Sequence, residues 1–424
     1  MQEAFLHYIW KYKKFRHYNL KTTQGEVVEL INTGEHNQGA GPDFFNARLE
    51  IEGQQWAGNV EIHLKSSDWY AHNHELDKTY DNVILHVVWE HDTDVFSKDN
   101  RPIPTLELRH FVDGELLLNY NKLAASKPKW IYCQDDFSEV DDFIINNWLE
   151  RLYLERLERK CLELESLLKA SKNNWEAVLF KLLSKNFGLK VNGEAFLSLA
   201  NSLEWQTIAK LSSSRQQLEA VLFGQAGLLD EEILDPYYLQ LQKEYRFLKH
   251  KFSLSNQGVL PIQFFRLRPP NFPTIRLAQL AAVYNNHKNV FSAIMEIKTK
   301  EMAYEFFEVS VMPFWKNHYS FKSISKTSSK HLTKQFVDLL LINTLIPFQY
   351  AFSKHIGKHI GENLLSFALS IDSEKNSIVD KFNSLKEFTK SSMHSQALIQ
   401  LKTEYCDNQK CLQCAIGNFV LKGN

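Results

Sequence analysis

The sequence predicts an α+β protein in which an α-β-β-β-α-β run fills residues 1–127 and mainly helical structure fills 128–424. Two patterns in the order of apolar residues carry that reading. Between Glu26 and Arg109 they cluster in short runs punctuated by Gly, Pro and Asn, as strands and turns do. Beyond Lys127-Pro128-Lys129 they recur at three-to-four spacing almost to the end, as amphipathic helices do. At 424 residues the chain exceeds one ordinary core, since a domain takes roughly 100–200 residues, so more than one domain is expected.

The elements follow in order. Phe5, Tyr8, Ile9 and Tyr12 predict an opening helix from Met1 to about Tyr18. Strands are expected at Val27–Ile31, Phe44–Ile51, Trp56–Leu64, Val83–Trp89 and Pro104–Arg109, with turns at Asn32-Thr33-Gly34, Gly39-Ala40-Gly41-Pro42 and Glu52-Gly53-Gln54. A short helical or loop segment, Asn73–Asp81, separates the third strand from the fourth. Ser138–Ala170 reads as a long helix with Ser138 as N-cap, Asp141 and Asp142 in the first turn, and Phe143, Trp148, Leu149, Leu152, Leu157 and Leu164 on its apolar stripe. Further helices are expected at Trp175–Asn186, Gly193–Asn201, Ser214–Gly224, Pro236–Lys251, Leu277–Tyr284 and Lys330–Ala351. The apolar stretch Leu339–Phe348 reads as a buried helix ending near Pro347.

Composition excludes several classes. Hydrophobic residues at 44 % and charged residues at 23 % are ordinary for a globular protein. The N-terminus lacks a secretory pattern and no uninterrupted apolar run is long enough to span a bilayer, so a cytoplasmic protein without a membrane partner is expected. A net charge of −1 means that any nucleic acid must be held by a local patch. Five scattered cysteines suit a reducing compartment rather than a disulfide framework.

The chemistry concentrates on two expected strands. Side chains at i, i+2 and i+4 share a strand face, so Glu61, His63 and Lys65 can point at whatever Asp43 points at. Asp43 and Glu61 supply hard oxygen ligands for Mg²⁺ or Mn²⁺, the Ile62 carbonyl a third, and His63 or Lys65 a group to orient water or steady a developing phosphorane. Asp68, His72, His74, Asp77 and His86 crowd the same stretch, and a histidine-rich wall would suit zinc or manganese. Two bland readings stand beside this: the alternating face is the solvated side of an antiparallel sheet, and His72-x-His74 lies on the surface.

These residues resemble the PD-(D/E)XK nuclease superfamily: Pro42-Asp43 at the second strand and Glu61-x-His63 on the third match its pattern over roughly the first quarter of the chain. The resemblance implies a restriction-endonuclease-like fold, phosphodiester hydrolysis with Mg²⁺ or Mn²⁺, and DNA or RNA as partner. Histidine holds the usual lysine position, with Lys65 two residues on. The alternatives are a catalytically inactive nuclease-like binding or scaffold protein, and a metalloenzyme acting on a small molecule. The whole chain is also similar to an uncharacterised bacterial family, through Gly41-Pro42-Asp43-Phe44, Gly58-Asn59-Val60-Glu61-Ile62-His63, Arg268-Pro269-Pro270-Asn271-Phe272-Pro273, Arg276-Leu277-Ala278 and Cys411-Leu412-Gln413-Cys414.

Other motifs remain. Cys406-x4-Cys411-x2-Cys414 has the spacing of ligands for Zn²⁺ or an iron–sulfur cluster and resembles part of the cysteine loop of some iron–sulfur DNA glycosylases, with Cys133 or His394 available to complete it. Trp10–Tyr18 interleaves basic and aromatic residues, which suits either a nucleic-acid contact or an amphipathic helix with its aromatics in the core. Lys322, Lys326, Lys330 and Lys334, spaced by four, form a backbone-tracking stripe or a solvated face. Arg266, Arg268 and Arg276, around the proline-rich loop, suit a bidentate clamp on a phosphate or carboxylate, but are expected instead to pair with acidic residues on helices. No phosphate-cradling loop, Gly-x-Ser-x-Gly elbow or His-Glu-x-x-His helix is present.

Overall fold

Five consecutive-face side chains, Phe5, Leu6, Tyr8, Ile9 and Trp10, are buried along the opening helix α1, Glu3–Lys11. It stops well before Tyr18 because Lys13 turns left-handed at φ 48. The amide of Lys13 then reaches the Trp10 carbonyl at 3.1 Å and that of Lys14 reaches Ile9 at 2.8 Å. This closure is usually built on glycine, so a lysine there gave no stop signal. Trp10 and Phe15 are core, stacked at 5.8 Å, while Lys11, Tyr12, Lys13, Arg16 and Tyr18 stay exposed.

The computed structural model describes residues 1–37, 39–125, 130–358 and 361–422. It divides into two units, Met1–Trp148 with Lys402–Asn424, and Leu149–Leu401. The expected boundary at 127/128 lies outside the described residues.

The first unit is built on a mixed sheet of β1 (Leu20–Lys21), β2 (Val27–Asn32), β3 (Glu35–His36), β4 (Phe44–Ile51), β5 (Gln54–Lys65), β6 (Val83–Glu90) and β7 (Thr105–Glu107), in the order β1-β2-β4-β5-β6-β7 with β3 beside β4. Pairing is antiparallel from β1 to β5 and parallel from β5 to β6 and β6 to β7. A parallel pair needs a crossover, here α2 (Asp68–Ala71) and two short 3₁₀ turns, His74–Leu76 and Lys78–Tyr80. β1 and β3, two residues each, are too short to leave a periodic signature. The outer half of β5, Gln54–Ala57, is exposed, whereas Gly58–His63 is buried throughout. Strands covered on both faces lose the polar alternation. The solvated-face reading therefore fails: Glu61 is 5 % and His63 1 % exposed. Gly58 makes that inner half possible, since a Cβ there would sit 2.5 Å from Ile84 Cγ2 and 2.7 Å from the Asn82 carbonyl.

The sheet is followed by α3 (Gly114–Ala125) and α4 (Asp142–Ala170), and the second unit is mainly helical, so the protein is α+β as its apolar patterns predict. α4 begins at Asp142, with Asp141 accepting the Phe143 amide at 2.7 Å; Ser138 lies instead in a 3₁₀ turn, Phe137–Glu139. Phe143 is 76 % exposed and leaves the expected stripe. The segment 334–355 does not stop at Pro347. A π turn at Leu341–Leu345 leads into the helix Ile346–His355, and this local change of register lets the helical chain pass through the proline. Lys334–His355 is thus long and apolar enough to cross a membrane by length and composition, with 72 % of its most apolar stretch buried inside the protein, as in a core helix.

Two expectations for the second unit are corrected. The lysine stripe is no helical face: His318–Ser320 and Ser323–Ile324 form a hairpin, Lys322 pairs with Glu231 at 2.8 Å, and Lys330 is buried with its ammonium 3.9 Å over the Tyr319 ring. Among the described residues Arg276 pairs with no carboxylate; it donates to Gln279 and Asn271 at 2.9 and 2.6 Å and lies 3.6 Å over the Phe336 ring. Burial lowers its affinity for the proton, to a pKa of about 10.

Candidate metal centre

Asp43 enters the site from the turn before β4. The Asn37 side-chain amide donates to the carbonyls of Ala40 and Pro42, both at 3.1 Å, and its backbone amide to Asp43 O at 2.8 Å, so this turn is wound around one polar side chain. Glu61 and His63 share the buried face of β5, and parallel pairing sets Glu61 beside His86 of β6. The crossover brings His72 and His74, and α1 brings Glu3 and His7 one turn apart.

Asp43 and Glu61 lock each other. The Asp43 amide donates to Glu61 Oε2 at 3.1 Å, and the Ile62 amide donates to Asp43 Oδ2 at 3.0 Å. Around this pair, His7 Nε2 lies 3.2 Å from Asp43 Oδ2, while His63 Nε2 and His74 Nε2 lie 3.5 and 3.3 Å from Glu61 Oε1. His63 Nε2 is 3.1 Å from His72 Nδ1, and one ring nitrogen each of His63, His72 and His74 fall within 4.8 Å of one another. Behind them His63 Nδ1 meets His86 Nε2 at 2.8 Å, which fixes the ring and leaves Nε2 facing the carboxylates. His7 Nε2, His74 Nε2 and His86 Nδ1 are buried without a hydrogen-bond partner among the described residues, so the short approaches of His7 and His74 lie off hydrogen-bond geometry.

Electrostatics follow from burial and crowding. Burial, then the Asp43 charge, raises Glu61 against the opposing contact with His74. Burial and Asp43 likewise raise Glu3. Burial, then His74, His72 and His7, holds His63 down to about 3, so its ring is neutral at ordinary pH. Burial works to lower His7, but contact with Asp43 outweighs it and the net shift is upward. Burial with Glu61 and Asp43 nearby pushes Tyr80 up to about 12; its ring stacks on His74 at 3.8 Å. Two carboxylates and several imidazoles converge here as a donor set able to hold a divalent cation, and the buried His7 Nε2 and His74 Nε2, which have no hydrogen-bond partner among the described residues, are what such an ion would satisfy.

The structure thus brings Asp43, Glu61 and His63 together. Lys65 is exposed at the strand end, where its amide donates to Asp68 Oδ2 at 3.0 Å and its charge acts on Asp92. Asp77 caps the turn Lys78–Tyr80 instead of facing the pair. His72 is exposed, as the surface reading expected, and His74 is half-buried, yet both belong to the imidazole cluster. His7 and Glu3 went unnoticed, although their four-residue spacing on an amphipathic helix placed them on one face. Cys406 ends a π turn, Cys411 opens the 3₁₀ turn Cys411–Gln413, and Cys414 precedes the helix Ala415–Lys422. His394, one of two residues expected to complete that set, bonds Ser391 at 2.7 Å.

No curated protein and no solved structure matches this chain. A family model does match, over residues 3–377, which contain every histidine and carboxylate of the centre. The chain therefore belongs to the DUF2851 family, described as a protein of unknown function.

Proposed function

We propose that the first unit is a metal-dependent phosphodiesterase of the nuclease type, cutting DNA or RNA at the Asp43–Glu61–His63 centre. The observation that carries this reading is the reciprocal carboxylate lock, Asp43 amide to Glu61 and Ile62 amide to Asp43, ringed by imidazoles with unpartnered buried nitrogens. Asp43, Glu61 and the His63–His72–His74 triad would hold the cation, which supplies Lewis-acid polarisation of a phosphoryl oxygen and an activated water. So many imidazole donors favour Mn²⁺ over Mg²⁺.

The chain order supports the nuclease likeness: α1, then the antiparallel strands β2, β4 and β5, then a helical crossover to the parallel β6, with Asp43 in the turn that leads into β4 and Glu61 on the adjoining β5. His86 positions His63 from behind, and Tyr80 keeps its proton as a donor beside Glu61. Exposed Lys11, Tyr12, Lys13 and Tyr18 follow the helix that delivers His7 and offer cations and rings to a nucleic-acid strand.

The test is cleavage of single- and double-stranded DNA and RNA, and of an activated phosphodiester, by full-length protein with Mn²⁺ or Mg²⁺. Cutting that is lost in Asp43→Asn and Glu61→Gln supports the reading. Salt-sensitive binding without cutting, in wild type as in variants, would select the non-catalytic nuclease-like protein instead.

A further inference from the structure

Lysine and arginine make up 49 of the 424 residues, roughly one in nine, yet four of the nine residues from Lys243 to Lys251 are Lys or Arg, with His250 among them. They form the C-terminal half of the helix Pro236–Lys251 in the second unit. Tyr238, Leu241, Tyr245 and Leu248 bury its inner face, whereas Lys243, Arg246, Phe247 and His250, at i, i+3, i+4 and i+7, share the face turned to solvent. All four are exposed, Phe247 at 58 %.

Helix electrostatics accounts for only part of this charge. Lys249, His250 and Lys251 lie in the last turn, where cations oppose the negative end of the helix dipole, but that effect fades within one turn. Lys243 and Arg246 lie beyond its reach. Carboxylates do not explain them either, since among the described residues no ion pair engages Lys243, Arg246, Lys249 or Lys251. Glu244, the one carboxylate of the helix, sits to the side of this strip and accepts the Gln217 side-chain amide at 2.7 Å. Asp230 acts on Tyr245, which belongs to the buried face. The Phe247 ring stands in solvent among the cations, with the Lys251 ammonium 5.7 Å from its centre.

We propose that Lys243, Arg246, Phe247 and His250 form a docking strip on the second unit for single-stranded nucleic acid. The identity of that ligand rests on the phosphodiesterase reading of the first unit; the strip itself rests on the exposed face just described. From Lys243 to His250 the helix rises about 10.5 Å, the length of roughly three nucleotides of one strand at about 3.4 Å each. Cations along the strip meet phosphates, and Phe247 takes the face of an unpaired base. A duplex keeps its base faces inside the stack, so the exposed ring selects the single strand. A bilayer surface fits less well: an interfacial helix inserts its broad apolar face, and here that face is buried inside the protein.

The experiment is fluorescence anisotropy of labelled oligothymidylate and oligouridylate with full-length protein in chelator, which reads binding apart from metal and cleavage and tells DNA from RNA. Joint replacement Lys243→Ala and Arg246→Ala removes two phosphate contacts and should flatten the slope of log affinity against log salt by about 1.4, at about 0.7 per contact on a single strand. Phe247→Ala should weaken binding by about 5- to 150-fold, the range of one lost stack, with the slope unchanged. These side chains are exposed, so both variants should melt with wild type. Lys210→Ala, an exposed lysine in the last turn of the helix Trp205–Leu211, should change neither affinity nor slope. Wild-type affinity and slope in the Lys243→Ala, Arg246→Ala protein would overturn the strip, as would wild-type protein that binds anionic phospholipid vesicles but neither oligonucleotide. Cleavage that persists while the strip variants bind as wild type does would remove the strip and keep the phosphodiesterase. Binding lost with the strip, in a protein that cuts nothing, would do the reverse.

Discussion

Glu61 in the first unit and Glu219 in the second are both buried glutamates whose pKa burial raises, Glu219 to about 7. Their surroundings part ways. Glu219 Oε2 accepts the Tyr237 hydroxyl and, at 3.2 Å, the Trp315 indole N–H, two donors on packed aromatic rings that can bind nothing else. Glu61 faces Asp43, His63 and His74, whose carboxylate oxygens and ring nitrogens are of the types that bind a cation. Burial of a carboxylate therefore does not by itself mark a reactive site. What separates the two is the kind of atom around the carboxylate: aromatic hydrogen-bond donors at Glu219, whose Oε1 has no partner among the described residues, and a second carboxylate with imidazole nitrogens at Glu61.

The largest expected effect breaks the comparison outright if it fails. Glu61→Gln should lower metal-dependent cleavage by about 10²–10³-fold, the scale of removing one transition-state-stabilising group, while Glu219→Gln leaves the rate unchanged. Equal losses in the two variants, measured at matched folded fractions, would mean that Glu61 is structural like its counterpart.

Next comes the pH dependence of stability. Glu219 ionises at about 7 in the folded protein and near 4.5 when unfolded, so the unfolded chain sheds its proton first as pH rises. Its favourable contribution is complete below 4.5, declines through 7, and amounts to about 3 kcal/mol at about 1.4 kcal/mol per pH unit. Urea unfolding across that range should show this decline in wild type and a flatter profile in Glu219→Gln; identical profiles would remove Glu219 as its source.

A smaller effect tests how the open atoms are aimed. His86→Ala should weaken Mn²⁺ binding, read by its electron paramagnetic resonance, by about 10–100-fold without unfolding the unit, because His63 loses the partner that orients it. Tyr237→Phe, the matching change beside Glu219, should leave Mn²⁺ binding intact and lower stability. The smallest effect concerns the turn that carries Asp43: Asn37→Ala should cost about 1–2 kcal/mol by unwinding the carbonyls it gathers, detected as a lower melting temperature. No change in melting temperature would show that the turn holds its shape without that side chain.

What the sequence by itself determined is what local periodicity can encode. Alternation and turn residues located β2, β4, β5 and β6 to within a few residues, and put Glu61 and His63 on a strand, though Asp43 lies in the turn just before β4 rather than on it. Three-to-four spacing located most helices of the second unit, though not the cap at Asp141 or the passage through Pro347, which depend on one side-chain bond and one change of helical register. Only the tertiary structure decided the membership of the polar cluster. His7 joins through the docking of α1, His72 and His74 through the crossover, and His86 through parallel pairing. The physical reason is range: a side chain's face is fixed by its neighbours a few residues away, whereas its partners are fixed by which elements bury their apolar surfaces against each other.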